Sequence, residues 1–390
     1  MLRKKCCWVL MAAMMTASLT SCGDKPEEEA PAIGYSVEEI PQEEAEEEEA
    51  GEGEDGDVAE EVTEASTIGI ISGEAKELPA GTILSEMTGE PIDASLAEQR
   101  PVAVMVDNET TAYPHFGVAE GDVMYEIMNS TLNGGITRLM VMVKDWGPIK
   151  QMGSIRSTRP TNILLASEWN AVLCHDGGPY YNDQYFKKDY AKHFSGTFSR
   201  VNNGKPREFT EYVVAGDLDK NFSNSGYSVN YDEFANEEPH FNFVEYGKEL
   251  DFDPADPLVQ KAENIDLAYI HTKSKLQYNE STKTYDYITY GSAHKDAEDG
   301  EVASYKNVLL QNCTYTKLDD HGYLIYNCIS PAREGLYITN GYARKIYWIK
   351  PSETGHTVYI DENGEIISLN TGKTYVSLIP DDQWDSMTID

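Results

Sequence analysis

The sequence predicts an α+β or α/β N-terminal domain followed by a mainly antiparallel β C-terminal domain. In the first half, apolar runs typical of buried strands alternate with a segment of helical character. In the second half, short runs of β-branched and aromatic residues are separated by turn signals such as Asn363-Gly364 and Thr371-Gly372. These halves together span roughly 300 residues, more than one hydrophobic core usually occupies, which favours two domains.

The N-terminal domain is predicted over 84–228. Its first strand, 101–107, is an almost wholly apolar run that ends in a polar pair. A helix is expected to begin at Thr158 or Arg159 and to end near Trp169. The other expected strands are 123–127, 137–143 and 171–175.

The segment 229–263 is rich in Asn, Glu and Pro and suits a linker or a packed connection between the two halves. The C-terminal domain is predicted over 264–382 and consists almost wholly of strand candidates. The expected strands are 276–278, 285–290, 308–315, 323–329, 335–339, 343–350, 357–360, 366–369 and 375–379.

The first residues predict export and lipidation. Basic residues at positions 3–5 precede an apolar stretch of about a dozen residues, which suits a signal peptide over 1–21, whereas a membrane-spanning helix needs ~20. The ending Leu19-Thr20-Ser21-Cys22 resembles the bacterial lipobox, which implies lipidation of Cys22 and a place on the extracytoplasmic face of the membrane. The alternative is an ordinary secretory cleavage site with an incidental cysteine.

Residues 22–80 are predicted to be the lipid anchor followed by an acidic, disordered tether. Positions 24–64 hold 19 acidic residues against one lysine, and such a segment cannot bury enough apolar surface to fold. The alternative is an acidic tail that recruits a basic partner or cations. Positions 65–390 carry 27 basic and 48 acidic residues, a balance of −21, which argues against nucleic acid as a partner, because basic surfaces hold a phosphate backbone.

Two cysteines of the second half are placed symmetrically about a turn. Cys313 and Cys328 flank the turn-like segment 318–322, so an antiparallel hairpin would set them opposite one another. They could form a disulfide outside the cytoplasm, or they could be two buried free thiols. The sequence leaves both alternatives open.

Several stretches between 84 and 382 occur in a specific order. They are MTGEPI at 87–92, RPVAVM at 100–105, GDVMYE at 121–126, GGITR at 134–138 and GSIRSTRP at 153–160. Together they resemble the YerB-like lipoproteins, a family whose two halves are domains of unknown function. The resemblance implies a two-domain extracytoplasmic lipoprotein and supplies no established reaction. The chain departs from the family at 175–179 and 206–210, where many members carry His-Ala-Gly-Gly-Ser and Pro-His-Asn runs.

Three arginines stand out in this acidic chain because they lie near Gly-rich and Ser-rich turns. Ser157 or Thr158 is expected to cap the following helix, so that backbone N–H groups and guanidinium groups point toward one place. That arrangement suits phosphate or carboxylate. The expected ligand-binding residues are Arg138, Arg156, Ser157, Arg159 and Asn108.

The alternative for these arginines is a structural role. They could form internal ion pairs with Asp107, Asp122 or Glu126, since buried arginines are usually paired.

The catalytic candidates are His175, Asp176 and Glu126, which together with Ser154 or Ser157 could make a hydrolytic site. His175 and Asp176 follow an apolar strand, the kind of strand end where open sheets place ligands. The alternative is a half-buried histidine whose hydrogen bonds are satisfied internally. The sequence contains no Gly-x-Ser-x-Gly elbow and no His-Glu-x-x-His motif, so neither a metal nor a cofactor is predicted.

These observations favour a non-enzymatic function. We expect a binding or scaffold module, attached to the membrane through Cys22, for an anionic or carbohydrate-like envelope ligand or for a protein partner. The alternative is a cell-wall-modifying hydrolase or transferase.

Overall fold

The structure is a computed structural model that describes residues 65–66 and 68–390. The predicted signal peptide, Cys22 and the acidic run 24–64 lie outside the described residues. All described residues fall within one compact unit. None of the helices in this part of the chain combines the length and the apolar character needed to cross a bilayer.

Strands dominate the described residues, so the protein is mainly β. In the first half they are β1 (Ala65–Ser66), β2 (Gly69–Ser72), β3 (Thr82–Leu84), β4 (Pro91–Asp93), β5 (Val102–Asp107), β6 (Val123–Met128), β7 (Thr137–Val143), β8 (Gln151–Gly153), β9 (Val172–His175), β10 (His193–Ser195), β11 (Ser199–Arg200) and β12 (Glu211–Val214). The α-helices are α1 (Pro160–Ser167), α2 (Asp183–Phe186) and α3 (Asp217–Ser225).

The later strands are β13 (Asn242–Phe243), β14 (Glu249–Asp251), β15 (Val259–Lys261), β16 (Asn264–Asp266), β17 (Lys275–Asn279), β18 (Thr284–Thr289), β19 (Ser292–Ala293), β20 (Ser304–Tyr305), β21 (Asn307–Cys313), β22 (Tyr315–Lys317), β23 (Leu324–Tyr326), β24 (Ser330–Thr339), β25 (Tyr342–Lys350), β26 (Val358–Ile360), β27 (Ser368–Leu369), β28 (Thr374–Pro380) and β29 (Thr388–Ile389). Short 3₁₀ helices are Ala94–Leu96, Thr110–Ala112, Tyr180–Asn182, Arg207–Phe209 and Trp384–Ser386.

Eleven of these strands form one central sheet, in the order β10-β9-β5-β7-β6-β28-β21-β24-β25-β15, with β26 on β25. β5, β6, β7 and β28 are buried at every position, as expected of strands covered on both faces. Alternate residues of β5 belong to two separate hydrophobic clusters, one on each face of the sheet. Helix α1 packs in one cluster and α3 in the other.

The central sheet takes strands from both predicted domains. β28, near the C-terminus, lies between β6 and β21 and runs parallel to both. The sheet therefore continues across the predicted domain boundary. The segment 229–263 is packed as well, because β13, β14 and β15 within it pair with β27, β2 and β25.

Several strand predictions from the first half are confirmed at nearly the same residues. β7 coincides with the predicted range, and β5 and β6 differ by one residue at one end. The expected cap of α1 was wrong, since the N-cap is Arg159 and its N–H donates to the Asn162 side chain at 3.2 Å. Pro160 at the first helical position explains this, because the residue before a proline is held in an extended conformation.

The predicted tether extends too far toward the C-terminus. Residues 69–72 form β2, which pairs antiparallel with β14, and Ile68 is 2% exposed. The N–H of Lys76 donates to the Tyr246 carbonyl at 2.8 Å. Residues 68–76 are therefore part of the folded body, because β2 pairs with β14.

The symmetric cysteines lie at the base of a hairpin, as expected. Strands β22 and β23 pair Tyr315 with Tyr326, and continuing that register sets Cys313 opposite Cys328. Both thiols are buried and not bonded to each other in the structure. Burial raises the pKa of Cys328 to about 11, so this thiol is protonated at neutral pH.

We predict that a chain beginning at residue 81 melts at a lower temperature than one beginning at residue 65. The shorter chain loses the β2–β14 pairing and the buried Ile68 side chain, and loss of such a side chain costs about 2–5 kcal/mol. Differential scanning calorimetry of the two proteins measures the difference. Equal melting temperatures would contradict the role of β2 in the body.

Candidate functional site

Several polar residues meet at one edge of the central sheet. β5 and β9 are parallel, and β7 runs antiparallel to β5 and β6, so the ends of β5, β6 and β9 lie beside the start of β7. The register pairs Asp107 with Arg138. Arg156 and Arg159 lie in the segment between β8 and α1, and the N–H of Arg156 donates to the carbonyl of Met105 on β5 at 3.0 Å. Ligands of sheets with parallel strands bind at such edges.

Arg156 is paired with carboxylates. Its Nε donates to Asp107 Oδ2 at 2.5 Å, and its Nη2 lies 3.0 Å from Glu208 Oε2. The guanidinium carbon lies 5.2 Å from the centroid of the Phe209 ring. Arg156 therefore forms an internal ion pair, the structural role that the sequence left open, and Asp107 is its buried partner.

Arg138 and Arg159 differ from Arg156 because carbonyl and amide oxygens surround them. Arg138 Nη1 donates to the Ser157 carbonyl at 2.6 Å and to Asn129 Oδ1 at 3.2 Å, while its buried Nε has no partner. Arg159 Nη1 donates to the Thr158 carbonyl at 2.8 Å. Among residues 65–66 and 68–390, no carboxylate oxygen lies within 4.0 Å of either guanidinium group.

The two groups are buried and mutually repulsive. Arg138 and Arg159 are each 7% exposed. Burial, followed by the charges of Arg138 and Arg156, lowers the pKa of Arg159 to about 9. Burial also lowers the pKa of Arg138. Three guanidinium groups thus lie close together, and within the described part of the chain the buried carboxylate paired with one of them is that of Asp107. We call Arg138, Arg156 and Arg159 the arginine cluster.

Tyr323 covers one face of the arginine cluster. Its ring centroid lies 4.7 Å from the guanidinium carbon of Arg159, an arrangement that stabilises a cation by the ring quadrupole. The hydroxyl of Tyr181 donates to the neighbouring loop, at Leu318 O, at 3.2 Å. Sequence reasoning did not place Tyr323 at this site, because Tyr323 is more than 160 positions from Arg159 in the chain.

Asn108 takes no part in the arginine cluster through its side chain. It is fully buried, and its Nδ2 donates to Thr137 Oγ1 at 2.9 Å and to Glu126 Oε1 at 3.2 Å. Its Oδ1 accepts from the Tyr113 hydroxyl at 2.7 Å. These contacts account for the amide of Asn108 without a ligand.

The three catalytic candidates are not brought together. Glu126 is fully buried, and no hydrogen bond or ion pair links it to His175 or Asp176 in the described residues. Its carboxylate instead accepts hydrogen bonds from hydroxyl groups. The donors within 3 Å are Thr137, Ser274, Tyr287 and Tyr375.

His175 is satisfied within the protein. Its Nδ1 lies 2.8 Å from the Gly177 carbonyl and its Nε2 lies 3.0 Å from His193 Nδ1. Burial lowers the pKa of His175 to about 4, so the ring is neutral at pH 7.

Asp176 belongs to a different group of charges. Arg200 Nη2 lies 3.0 Å from Asp176 and 2.6 Å from Glu211. Burial and the neighbouring Asp176 raise the pKa of Glu211 to about 7. Sequence reasoning missed Arg200 and Glu211, which carry no motif.

Through the described ranges, no group of three or more His, Cys, Asp and Glu residues is arranged to hold a metal ion. The guanidinium groups at this edge belong to a chemical class that binds carboxylate and phosphate by charge-assisted hydrogen bonds.

Two family descriptions match the chain. "Protein of unknown function (DUF3048) N-terminal domain" matches 87–228, and the corresponding C-terminal domain matches 265–376. The two ranges together cover more than half of the 390 residues. The chain belongs to the DUF3048 family. The arginine cluster lies within the N-terminal DUF3048 range.

A relative of this DUF3048 protein is "Putative lipoprotein YerB" of Bacillus subtilis (strain 168), which is 22% identical over 307 residues. The match covers 77% of this chain and 88% of the relative. A crystal structure of the YerB protein from Bacillus subtilis is similar with a TM-score of 0.66 at 20% identity, covering 79% of this chain and 99% of that chain. These findings confirm the family resemblance, and the solved structure shows the fold that the two proteins share.

We predict that Arg156→Gln destabilises the protein more than Arg159→Gln does. The first change leaves buried Asp107 without its partner, and breaking such a pair costs about 3–5 kcal/mol. The second removes a buried charge that has no carboxylate partner, so part of its lost hydrogen bonding is offset by relief of desolvation and repulsion. Urea unfolding measures both free energies, and equal losses would contradict the assignment.

Proposed function

We propose that this protein is an extracytoplasmic lipoprotein, anchored to the membrane through Cys22, whose arginine cluster binds an anionic group of a cell-envelope ligand. The observation that carries the proposal is the burial of Arg138 and Arg159 without a carboxylate partner among the described residues. The lipobox-like ending at Cys22 and the similarity to the putative lipoprotein YerB support the anchor.

An anion would restore the charge balance of the cluster. Two desolvated guanidinium groups near each other are unfavourable, which is why the pKa of Arg159 falls. A phosphate or carboxylate between them removes that repulsion and forms charge-assisted hydrogen bonds, for which Arg138 Nε is available. The ligand is therefore of the anionic class, carried by an envelope glycan or by a protein partner.

The surroundings favour binding rather than catalysis. Glu126 is occupied by hydroxyl donors, and His175 has a protein partner on each ring nitrogen. The alternative of a wall-modifying hydrolase or transferase needs these groups free to exchange protons with a substrate.

Inorganic phosphate tests the proposed site. We expect phosphate to raise the melting temperature of the parent protein, because a ligand that binds only the folded state stabilises it by mass action. The shift should be strongly reduced in Arg159→Gln. Arg207→Gln is the matched control, since Arg207 is an exposed arginine outside the cluster, and it should respond as the parent does.

Chloride at the same ionic strength separates specific binding from screening. The absence of a phosphate-dependent shift in the parent, or an equal shift in Arg159→Gln, would overturn the proposal.

The anchor has a separate test. We expect the mature protein to enter the detergent phase on Triton X-114 partitioning, because acyl chains contribute roughly 0.8 kcal/mol for each buried CH₂. Cys22→Ala should remain in the aqueous phase or keep its first 21 residues, which mass spectrometry detects. A Cys22→Ala protein that still enters detergent at its mature mass would count against lipidation.

A further inference from the structure

Two histidines meet where the N-terminal and C-terminal DUF3048 ranges pack together. His115 lies in the loop between the 3₁₀ helix Thr110–Ala112 and β6, and His294 directly follows β19. Their ring centroids lie 5.0 Å apart. We call His115 and His294 the histidine pair.

Backbone hydrogen bonds join the two segments that carry the histidine pair. The N–H of Ala297 donates to the carbonyl of His115 at 2.8 Å. The N–H of Ala119 donates to Asp296 Oδ2 at 3.3 Å. Residues 113–119 thus pack on the loop that follows β19.

Both rings of the histidine pair are buried and their nitrogens are unpaired. His115 is 0% exposed and His294 is 2% exposed. Among the described residues, no ring nitrogen of either histidine has a hydrogen-bond partner. A neutral imidazole tolerates such a place better than a charged imidazolium does, because an unpaired charge loses far more hydration energy on burial.

The aromatic rings around the histidine pair supply no polar partner. The ring centroid of Tyr113 lies 4.2 Å and 5.2 Å from the two imidazoles, and that of Tyr287 lies 5.5 Å from His294. The hydroxyl of Tyr113 donates to Asn108 Oδ1 at 2.7 Å, and that of Tyr287 donates to Glu126 Oε2 at 2.8 Å. Both phenol groups are therefore engaged elsewhere.

The charged groups nearby do not compensate a proton on either ring. In the described residues, no carboxylate oxygen lies within 4.0 Å of either imidazole. The carboxylate of Asp296 accepts two backbone N–H groups, and that of Asp107 on β5 is paired with Arg156. Lys205 approaches His115 from a third segment, where its Nζ donates to two backbone carbonyls at 2.8 Å, and its charge opposes protonation of the ring.

These surroundings keep both rings neutral. Burial and the charge of a protonated His294 hold the pKa of His115 well below its usual value, which the backbone of Asp107 only partly opposes. Burial lowers the pKa of His294 to about 4. In an unfolded chain the pKa of histidine is about 6.5. Because released rings bind protons more readily than buried rings, acid favours release as the pH falls from about 6.5 toward about 4.

We propose that the histidine pair is an acid-sensitive contact between the two DUF3048 domains, which holds residues 113–119 against the loop after β19 at neutral pH and releases them in acid. Protonation of either ring places an uncompensated cation in apolar surroundings. Protonation of both rings adds repulsion between two charges at a ring spacing of 5.0 Å. The contact is independent of the arginine cluster, whose guanidinium groups stay charged over this pH range.

Local hydrogen exchange tests the release. Amide exchange of the full chain is followed by mass spectrometry at pH 7 and pH 5, with the rates corrected for the pH dependence of intrinsic exchange. We expect protection in 113–119 and 293–303 to fall at least tenfold at pH 5, because each released imidazole shifts the opening equilibrium by up to about tenfold per pH unit. Unchanged protection in both segments overturns the proposal.

A local measurement is needed because acid also acts elsewhere in the protein. Burial lowers the pKa of His175 and of His240 as well, so both contribute to the acid sensitivity of global unfolding. Exchange confined to the two segments at the histidine pair separates release of this contact from global unfolding.

A double variant tests whether the histidine pair causes the release. His115→Phe with His294→Phe keeps two aromatic rings in the contact and cannot bind a proton there. We expect protection in its two segments to be the same at pH 7 and pH 5. His321→Phe is the matched control, since the His321 side chain is 84% exposed, and it should respond to acid as the parent does. An equal loss of protection in the double Phe variant and the parent overturns the proposal.

A direct titration of the parent decides the matter if the double variant fails to fold. Ring signals of the histidine pair, assigned through the backbone in protein labelled with ¹³C and ¹⁵N, report the charge of each imidazole. We expect both rings of the folded protein to be neutral at pH 6 and at pH 5. An imidazolium signal from either ring of the folded protein at pH 6 overturns the proposal.

Discussion

The fold depends on the insertion of β28 between β6 and β21. That strand joins the two parts of the central sheet, because it pairs in parallel with β6 on one side and with β21 on the other. Glu126 lies on β6 at this junction, where Tyr375 of β28 and Tyr287 of β18 both donate to its carboxylate. A buried carboxylate that has only neutral donors is costly unless every donor is present, so each half requires the other.

The same strand pairings produce the arginine cluster. Placing β7 between β5 and β6 sets Arg138 at the edge where β5 ends, and the return of the chain into α1 adds Arg159. The carboxylate of Asp107 compensates the positive charge of one guanidinium group, that of Arg156. The other two guanidinium groups have no carboxylate within 4.0 Å in the described residues, and local departures from good pairing of this kind are typical of functional sites.

The arginine cluster illustrates how little the net charge of a chain says about its local charge distribution. The formal charge is −36, yet a positive cluster is buried at one edge of the sheet. Near the end of α1, Lys350 Nζ lies 2.9 Å from the carboxylate of Glu168, and both side chains are fully buried. The local electrostatic potential at each of these positions depends on a few charges at short range, because charge–charge interactions strengthen as water is excluded.

The sequence by itself determined the strands that are buried on both faces. β5 and β7 are apolar runs with polar residues at one end, and β6 is interrupted by Glu126. The hairpin that places Cys313 opposite Cys328 followed from a symmetric turn. Those features depend on residues close together in the chain, where apolar periodicity and turn chemistry act.

Only the tertiary structure decided which strands pair and which charges meet. Backbone hydrogen bonds are alike in every strand, so nothing local specified that β28 joins β6 or that β2 joins β14. The partners of Glu126 lie up to 249 positions away, and Lys350 lies 182 positions from Glu168. Interactions at such separations arise from the packing of whole elements. That packing pairs Asp107 with Arg156, whereas Arg138 and Arg159 have no carboxylate within 4.0 Å in the described residues.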